Sequence, residues 1–72
     1  MVTVKLKADV LRAAAAKRNL SLAGLAEMIG VNPTYLPVIL SGRHRMSPRL
    51  RRRILKRLGL KFDDLFSLVE TS

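Results

Sequence analysis

Four residues that readily adopt a left-handed backbone conformation divide this chain at nearly regular intervals. These residues are Asn19, Gly30, Gly42 and Gly59. Each follows a stretch with helical spacing of apolar residues, and glycine and asparagine are the residues that most often close an α-helix. Leu20, Val31 and Leu60 come directly after three of them, where an apolar side chain can fold back onto the last helical turn. The spacing therefore predicts four helices.

Residues suited to the first positions of helices stand at the other ends of these segments. Good N-caps precede three helices and are Ser21, Asn32 and Ser47. Pro33 and Pro48 follow two of these caps, where the missing N–H of proline removes no hydrogen bond. Asp63 and Asp64 place negative charge in the first turn of a short fifth helix. The four main helices are expected at about residues 8–18, 22–29, 33–41 and 48–58.

A second proline, Pro37, complicates the third helix. In a helix that begins at Pro33, it removes the N–H that would bond to the Pro33 carbonyl. Proline inside a helix is unfavourable by about 3 kcal/mol, but this bond is close to the helix start. We therefore expect either a disturbed first turn or a helix that begins a few residues late.

The two ends of the chain have a different pattern. The stretch VTVKL near the start alternates apolar and polar residues, and FSLVE near the end is apolar and compatible with a strand. A two-stranded ribbon that joins the termini is one possibility for them. The expected fold is an all-α, compact five-helix bundle, in a single domain over residues 1–72. Its predicted inward-facing residues are Val10, Leu11, Ala14, Leu22, Leu25, Ala26, Ile29, Leu36, Ile39, Leu40, Leu50, Ile54 and Leu58, with Met28 and Met46 as core or rim fillers.

Composition excludes several classes of function. The chain has no cysteine, so it cannot form a disulfide, a thiolate nucleophile or a cysteine-bound metal site, and a reducing compartment fits best. The single histidine, His44, has no second metal ligand or carboxylate near it in the sequence. Ser21, Ser41 and Ser47 are explained by helix ends. We expect no enzyme activity, no catalytic residue, no metal, no cofactor and no small-molecule substrate.

Hydropathy gives no membrane signal. No apolar run reaches the roughly 18 residues that suggest a membrane span. The start MVTVKLKADV also lacks the uninterrupted apolar core of a signal peptide. We expect a soluble, cytoplasmic protein without a membrane partner, at the nucleoid if the source is bacterial.

Positive charge is concentrated in one part of the chain. The formal net charge is +9. Nine Lys and Arg residues and no Asp or Glu lie between Arg43 and Lys61, whereas the other residues carry five charges of each sign. The run RLRRR alone would also suit a solvated helix face. The absence of acids throughout this segment favours an anionic partner, of which nucleic acid is the commonest for a small basic domain.

Apolar and small residues between positions 22 and 41 have the spacing of a helix-turn-helix. They are Leu25, Ala26, Ile29, Gly30, Val31, Leu36 and Ile39. A small Ala26 lets the next helix cross closely, and Gly30 permits a sharp turn with positive φ. Together with the stretches KRNLSLAGLAEMIGVNPTYLPVILSGRHRMSP and LGLKFDDLF, this pattern resembles the phage repressor and Cro-like helix-turn-helix domains, the xenobiotic-response-element family. The resemblance runs from about Val10 to Phe66.

This resemblance implies a lambda-repressor-like bundle that binds double-stranded DNA, with the third helix in the major groove and the second across the backbone. The positions that match the family's base-reading residues are Pro33, Thr34, Pro37 and Val38. The positions near phosphates are Ser21, Asn32, Tyr35, Ser41, Arg43, His44, Arg45, Arg49 and Arg52. The base-reading face departs from the family pattern, because it offers rings and methyl groups where Gln, Arg, Ser or Asn are common. It would suit thymine methyl groups and A·T-rich DNA, helped by Thr34 and by His44 or Arg43.

Several alternatives remain open from the sequence. The first choice is a sequence-preferring transcriptional repressor or regulator that acts as a monomer or a homodimer on DNA, or an engineered DNA-binding module. The second is a protein-interaction module, antitoxin-like or an adaptor, because the apolar outer face of the third helix would also suit a protein contact. The third is non-specific association of the fourth helix with nucleic acid or an anionic membrane.

Overall fold

The chain forms five helices and a two-stranded antiparallel sheet in the residues that the computed structural model describes, 1–42 and 45–70. In chain order the elements are β1 (Val2–Leu6), α1 (Ala8–Lys17), α2 (Leu22–Ile29), α3 (Leu36–Leu40), α4 (Pro48–Leu58), α5 (Phe62–Leu65) and β2 (Phe66–Glu70). The predicted helix order is confirmed, and α1, α2 and α4 lie within one residue of the expected bounds.

The prediction of an all-α fold is incomplete, because the residues near the two termini form a two-stranded sheet. β1 pairs with β2 in a register that runs from Val2 opposite Glu70 to Leu6 opposite Phe66. Phe66 is buried, and its ring centroid lies 5.4 Å from that of Phe62, so the base of the ribbon is packed on the helical core. The stretches VTVKL and FSLVE are therefore the two strands of one antiparallel sheet, and they come from opposite ends of the chain.

Three helices end in the same hydrogen-bonded motif. The N–H groups of Leu20, Val31 and Leu60 donate to carbonyls five residues back, at 2.9, 2.9 and 3.0 Å. In each case the preceding residue has positive φ, for example 78° at Gly30. This is the Schellman ending expected from an apolar residue after glycine or asparagine. The left-handed stops predicted from the sequence are confirmed.

Side-chain caps begin two of the helices. The Ser21 hydroxyl accepts a hydrogen bond from the Gly24 N–H at 3.1 Å, and the Ser47 hydroxyl accepts one from the Leu50 N–H at 3.2 Å. Both caps satisfy an N–H group that has no partner inside the helix. The short α5 uses its acidic first turn, because the carboxylate of Asp64 accepts from the Lys61 N–H at 2.9 Å.

The third helix begins late, at Leu36. Residues 33–35 form a turn in which the Tyr35 N–H donates to the Asn32 carbonyl at 2.9 Å, and the first helical bond runs from the Ile39 N–H to the Tyr35 carbonyl at 3.1 Å. Pro37 consequently lies in the first turn of α3, where N–H groups have no helical acceptor. Of the two outcomes expected for this helix the late start is observed, so the predicted beginning at about residue 33 is corrected to Leu36. Asn32 caps the turn instead of the helix.

One apolar core joins the helices and the base of the ribbon. Its buried residues are Leu11, Ala14, Ala15, Leu25, Ala26, Ile29, Leu36, Ile39, Leu40, Met46, Ile54, Leu58, Leu65 and Phe66. The prediction that Leu22 faces inward is wrong, because this side chain is 44% exposed. Leu22 is the first residue of α2, and the buried stripe of that helix begins one turn later, at Leu25. Val10 and Leu50, also predicted inward, pack against the core while remaining partly exposed.

Long-range arginine contacts tie helix ends together. The guanidinium of Arg18, at the end of α1, donates to the Ala14 carbonyl at 3.0 Å and to the Leu58 carbonyl at 2.9 Å. Because the last carbonyls of a helix have no internal partner, this contact satisfies one of them at the end of α4. It also places a cation at the negative end of that helix.

Candidate nucleic-acid interface

The turn before α3 and the outer side of α3 form one exposed surface. The four predicted base-reading residues, Pro33, Thr34, Pro37 and Val38, are all exposed. Leu36, Ile39 and Leu40, on the other side of the same short helix, are buried in the core. Because α3 is anchored by three buried side chains, the outer surface is held in a fixed position. The geometry brings the four predicted readers together.

Asn32 orients Thr34 at the start of this surface. The Asn32 side-chain oxygen accepts from the Thr34 N–H at 2.9 Å and from the Thr34 hydroxyl at 2.8 Å. Since the hydroxyl proton is directed to Asn32, the Thr34 oxygen offers its lone pairs outward as an acceptor. The Asn32 amide retains its NH₂ donors, which suit a phosphate oxygen. Thr34 can therefore accept from a base amino group or present its methyl group.

The rest of the surface is apolar. Val38 is 42% exposed, and the adjacent Pro37 adds a ring without an N–H donor. At the end of α3, the Ser41 hydroxyl donates to the Val38 carbonyl at 2.7 Å. Tyr35 packs partly on the core, as predicted for its ring. Phosphate contact by Ser41 and Tyr35 stays a prediction.

Several residues predicted to contact phosphates are exposed in the segments that precede and follow α3 in the chain. Ser21, at the N-terminal cap of α2, is exposed, and so are Arg45, Arg49 and Arg52 in and before α4. The Ser21 hydroxyl uses a lone pair for the helix cap, which leaves its proton for another acceptor. The predicted contacts of Arg43 and His44 lie outside the described residues.

The arginines of α4 divide into two sets by their contacts. Arg51 donates to the Met46 carbonyl at 2.7 Å, Arg53 to the Gly30 carbonyl at 3.2 Å and Arg57 to the Met28 carbonyl at 3.0 Å. Arg49, Arg52 and Lys56 make no hydrogen bond or ion pair within residues 1–42 and 45–70. The first set holds α4 against its neighbours, and the second set faces outward.

Positive charge on this helix is not neutralised by neighbouring acids. Among the described residues the one ion pair joins the Met1 amino group to Glu70 at 3.3 Å, on the ribbon. Ile54 and Leu58 bury the inner stripe of α4, which directs the charged side chains away from the core. Such a set of unpaired cations attracts polyanions at long range, with a strength that depends on salt.

Five basic residues of α4 line a shallow open groove of about 540 Å³, which lies between their own side chains on one face of the helix. Its lining residues are Arg49, Arg52, Arg53, Lys56 and Arg57. The outward direction of Arg49, Arg52, Arg53 and Lys56 was predicted from the helical period. The anchoring of Arg53 and Arg57 on α2 was not, because it depends on the packing of α4 against the end of α2. In the sequence, the four-residue spacing of Arg53 and Arg57 was the only indication that the two side chains lie on the same face of the helix.

Neither a membrane segment nor a metal cluster is found in the part of the chain that the structure describes. None of its helices combines the length and the apolar character that a bilayer crossing requires. The Asp and Glu residues of this part do not come together in groups of three or more that suit a metal ion.

Comparison with known proteins gives one match. A family model described as helix-turn-helix, of the Cro/C1 type, matches residues 11–65, which is more than half of the chain. The match includes all five helices except the first residues of α1. No curated protein and no solved structure matches the chain.

Proposed function

Because the chain belongs to the Cro/C1-type helix-turn-helix family of DNA-binding regulators, we propose that it binds double-stranded DNA with a sequence preference and represses transcription by occupying a short operator. In this proposal the turn before α3 and the outer side of α3 enter the major groove. Arg45, Arg49 and Arg52 contact phosphates beside it. This division follows the general rule that phosphate contacts position a protein and base contacts specify the sequence.

One observation carries the proposal. A surface of small exposed side chains, anchored by buried residues of α3, is followed in the chain by α4, whose cations have no acidic partner in the described residues. The exposed methyl groups of Val38 and Thr34 suit the C5-methyl group of thymine, which marks A·T pairs in the major groove. The proposed operator is accordingly rich in A·T pairs where α3 makes its contacts.

Binding selection on a library of random duplexes tests this function. We expect an enriched motif that contains thymines at fixed positions. For roughly five to seven neutralised phosphates, the logarithm of the affinity should fall with the logarithm of the salt concentration at a slope of about −5 to −6. Uniform, salt-sensitive binding without a motif would support only non-specific association, and an affinity independent of salt would contradict phosphate contact.

The arrangement of the enriched motif tests the oligomeric state on DNA. Homodimers of helix-turn-helix proteins bind inverted half-sites about one helical turn apart. We propose such a dimer on DNA as the repressing form. An enriched inverted repeat with this spacing, together with a complex mass in analytical ultracentrifugation that corresponds to two chains per duplex, is the expected result. A single asymmetric motif bound at a 1:1 ratio would indicate a monomer.

A protein-interaction module is the second candidate. The observation that favours it is the exposure of two apolar side chains in the motif, Leu22 at 44% and Val38 at 42%. The same library distinguishes the two functions, because an interaction module would bind no duplex even at low salt. In that case, enrichment of peptides by the α3 surface in a display library would be the positive result.

A further inference from the structure

The cation-lined groove of α4 extends well beyond the residues assigned to the operator contact. Its near end is formed by Arg49 and Arg52, which belong to the proposed phosphate contacts. Its far end is formed by Lys56 and Arg57, about two helical turns further along α4. From Arg49 to Arg57 the helix rises about 12 Å.

Two of the groove's guanidinium groups are held in place by backbone acceptors. Arg53 and Arg57 each use Nη1 to bind a carbonyl at the end of α2, of Gly30 and of Met28 respectively. A guanidinium has five N–H donors, so most of the donors of both groups remain for another ligand. Groups that are already positioned lose less side-chain entropy on binding, and guanidinium pairs well with phosphate oxygens.

The character of the groove distinguishes between classes of partner. All five lining residues are cationic, and the apolar stripe of α4 is buried in the core. A membrane-surface helix needs an exposed apolar face, and the centre of a protein interface combines arginine with aromatic and apolar residues, which the lining of this groove lacks. A phosphate backbone requires neither feature. Continuity with Arg49 and Arg52 favours the same duplex that α3 contacts.

We propose that the far part of this groove, Arg53, Lys56 and Arg57, binds the phosphate backbone of operator-flanking DNA, outside the phosphates contacted by Arg49. This inference rests on the proposed function, because the duplex must first be positioned by α3. It adds a second set of phosphate contacts, which increases affinity and its salt dependence without adding base readout.

The test uses a 24-base-pair duplex that carries the selected motif at its centre, with single phosphates replaced by neutral methylphosphonates. Affinities are measured for the unchanged chain, Lys56→Gln and Arg49→Gln, and each variant is paired with each neutralised phosphate in a double-mutant cycle. We expect Lys56→Gln to reduce the salt slope by about 0.9 and to couple with phosphates outside the set that couples with Arg49→Gln. Arg57→Lys, which keeps the charge, should weaken binding because the planar donor fork is lost.

Lys17→Gln is the matched control, because it removes the same charge from an exposed position of α1 outside the groove. Circular dichroism melting curves establish that each variant is folded. Absence of coupling at Lys56, coupling to the same phosphates as Arg49, or an equal loss of slope in Lys17→Gln would each overturn the inference. A selection that enriches no motif would instead contradict the proposed function itself. The inference would then fail before any double-mutant cycle is measured.

Discussion

The two helices next to the candidate interface, α3 and α4, differ in almost every property. α3 has five residues, LPVIL, and no charge, whereas α4 has eleven residues, PRLRRRILKRL, of which six are basic. A short apolar helix contributes shape and methyl contacts, and a long cationic one contributes attraction to any phosphate backbone. The comparison suggests that sequence preference and affinity are assigned to different elements. Substitutions can therefore be chosen to change one without the other.

The largest expected effect is on the free energy of unfolding, and it differs between the buried and the exposed side of α3. Leu36 is fully buried, and Leu36→Ala should lower the free energy of unfolding by about 2–5 kcal/mol, because it leaves a cavity in the core. Val38→Ala, two residues away on the exposed side, should change it by no more than about 0.5 kcal/mol. Urea unfolding followed by circular dichroism measures both. Similar losses of stability in the two variants would show that α3 is not anchored by one side alone.

The next effect concerns base contact by the exposed side of α3. Val38→Glu should remove the motif preference, because a mismatch at one base pair of a site costs about 1–3 kcal/mol and the carboxylate also repels the duplex. Val69→Glu is the matched control, since it makes the same substitution at a partly exposed valine of the ribbon. Fluorescence anisotropy with the selected and a scrambled duplex gives the comparison. Equal losses in the two variants would assign the effect to net charge.

Local signals in the sequence were sufficient for the helix ends of this fold. The Schellman endings at Leu20, Val31 and Leu60 depend on neighbours five residues back, so the residue types alone predict them. Pro37 left two outcomes open for α3, a disturbed first turn or a late start, and the residue types alone did not decide between them. Pro33, Thr34, Pro37 and Val38 lie within one continuous segment and are exposed, and their contact with bases stays a prediction from the family resemblance.

Features that depend on packing between distant segments could not be predicted in this way. The contacts of Arg53 with Gly30 and of Arg57 with Met28 join residues more than 20 positions apart. Leu22 has the helical spacing of a core residue, yet its side chain is exposed. In both cases the deciding information is which element lies opposite, and a helical period specifies only the direction of a side chain from its own axis.

The third prediction addresses the cations without partners in the described residues. The double variant Arg49→Gln with Arg52→Gln should reduce the salt slope by about 1.8 and weaken selected and scrambled duplexes to the same extent. Its stability should remain nearly unchanged, because neither guanidinium binds a carbonyl in the described residues. Removal of two exposed cations from α1, by Arg12→Gln with Lys17→Gln, is the control. A larger loss of affinity for the selected duplex than for the scrambled one would assign base contacts to α4 as well as to α3.

The smallest expected effect tests at which residue α3 begins. Because α3 begins at Leu36, Pro37 lies in its first turn and removes no helical hydrogen bond. Pro37→Ala should then lower the free energy of unfolding by about 0.4–1 kcal/mol, since alanine gives the unfolded chain more conformational freedom. In a helix that began at Pro33, the same substitution would relieve the interior proline and stabilise the protein by up to about 3 kcal/mol. The sign of the change in urea unfolding therefore decides between the two starts. Pro48→Ala, at the first position of α4, should show the same small loss as Pro37→Ala and serves as its control.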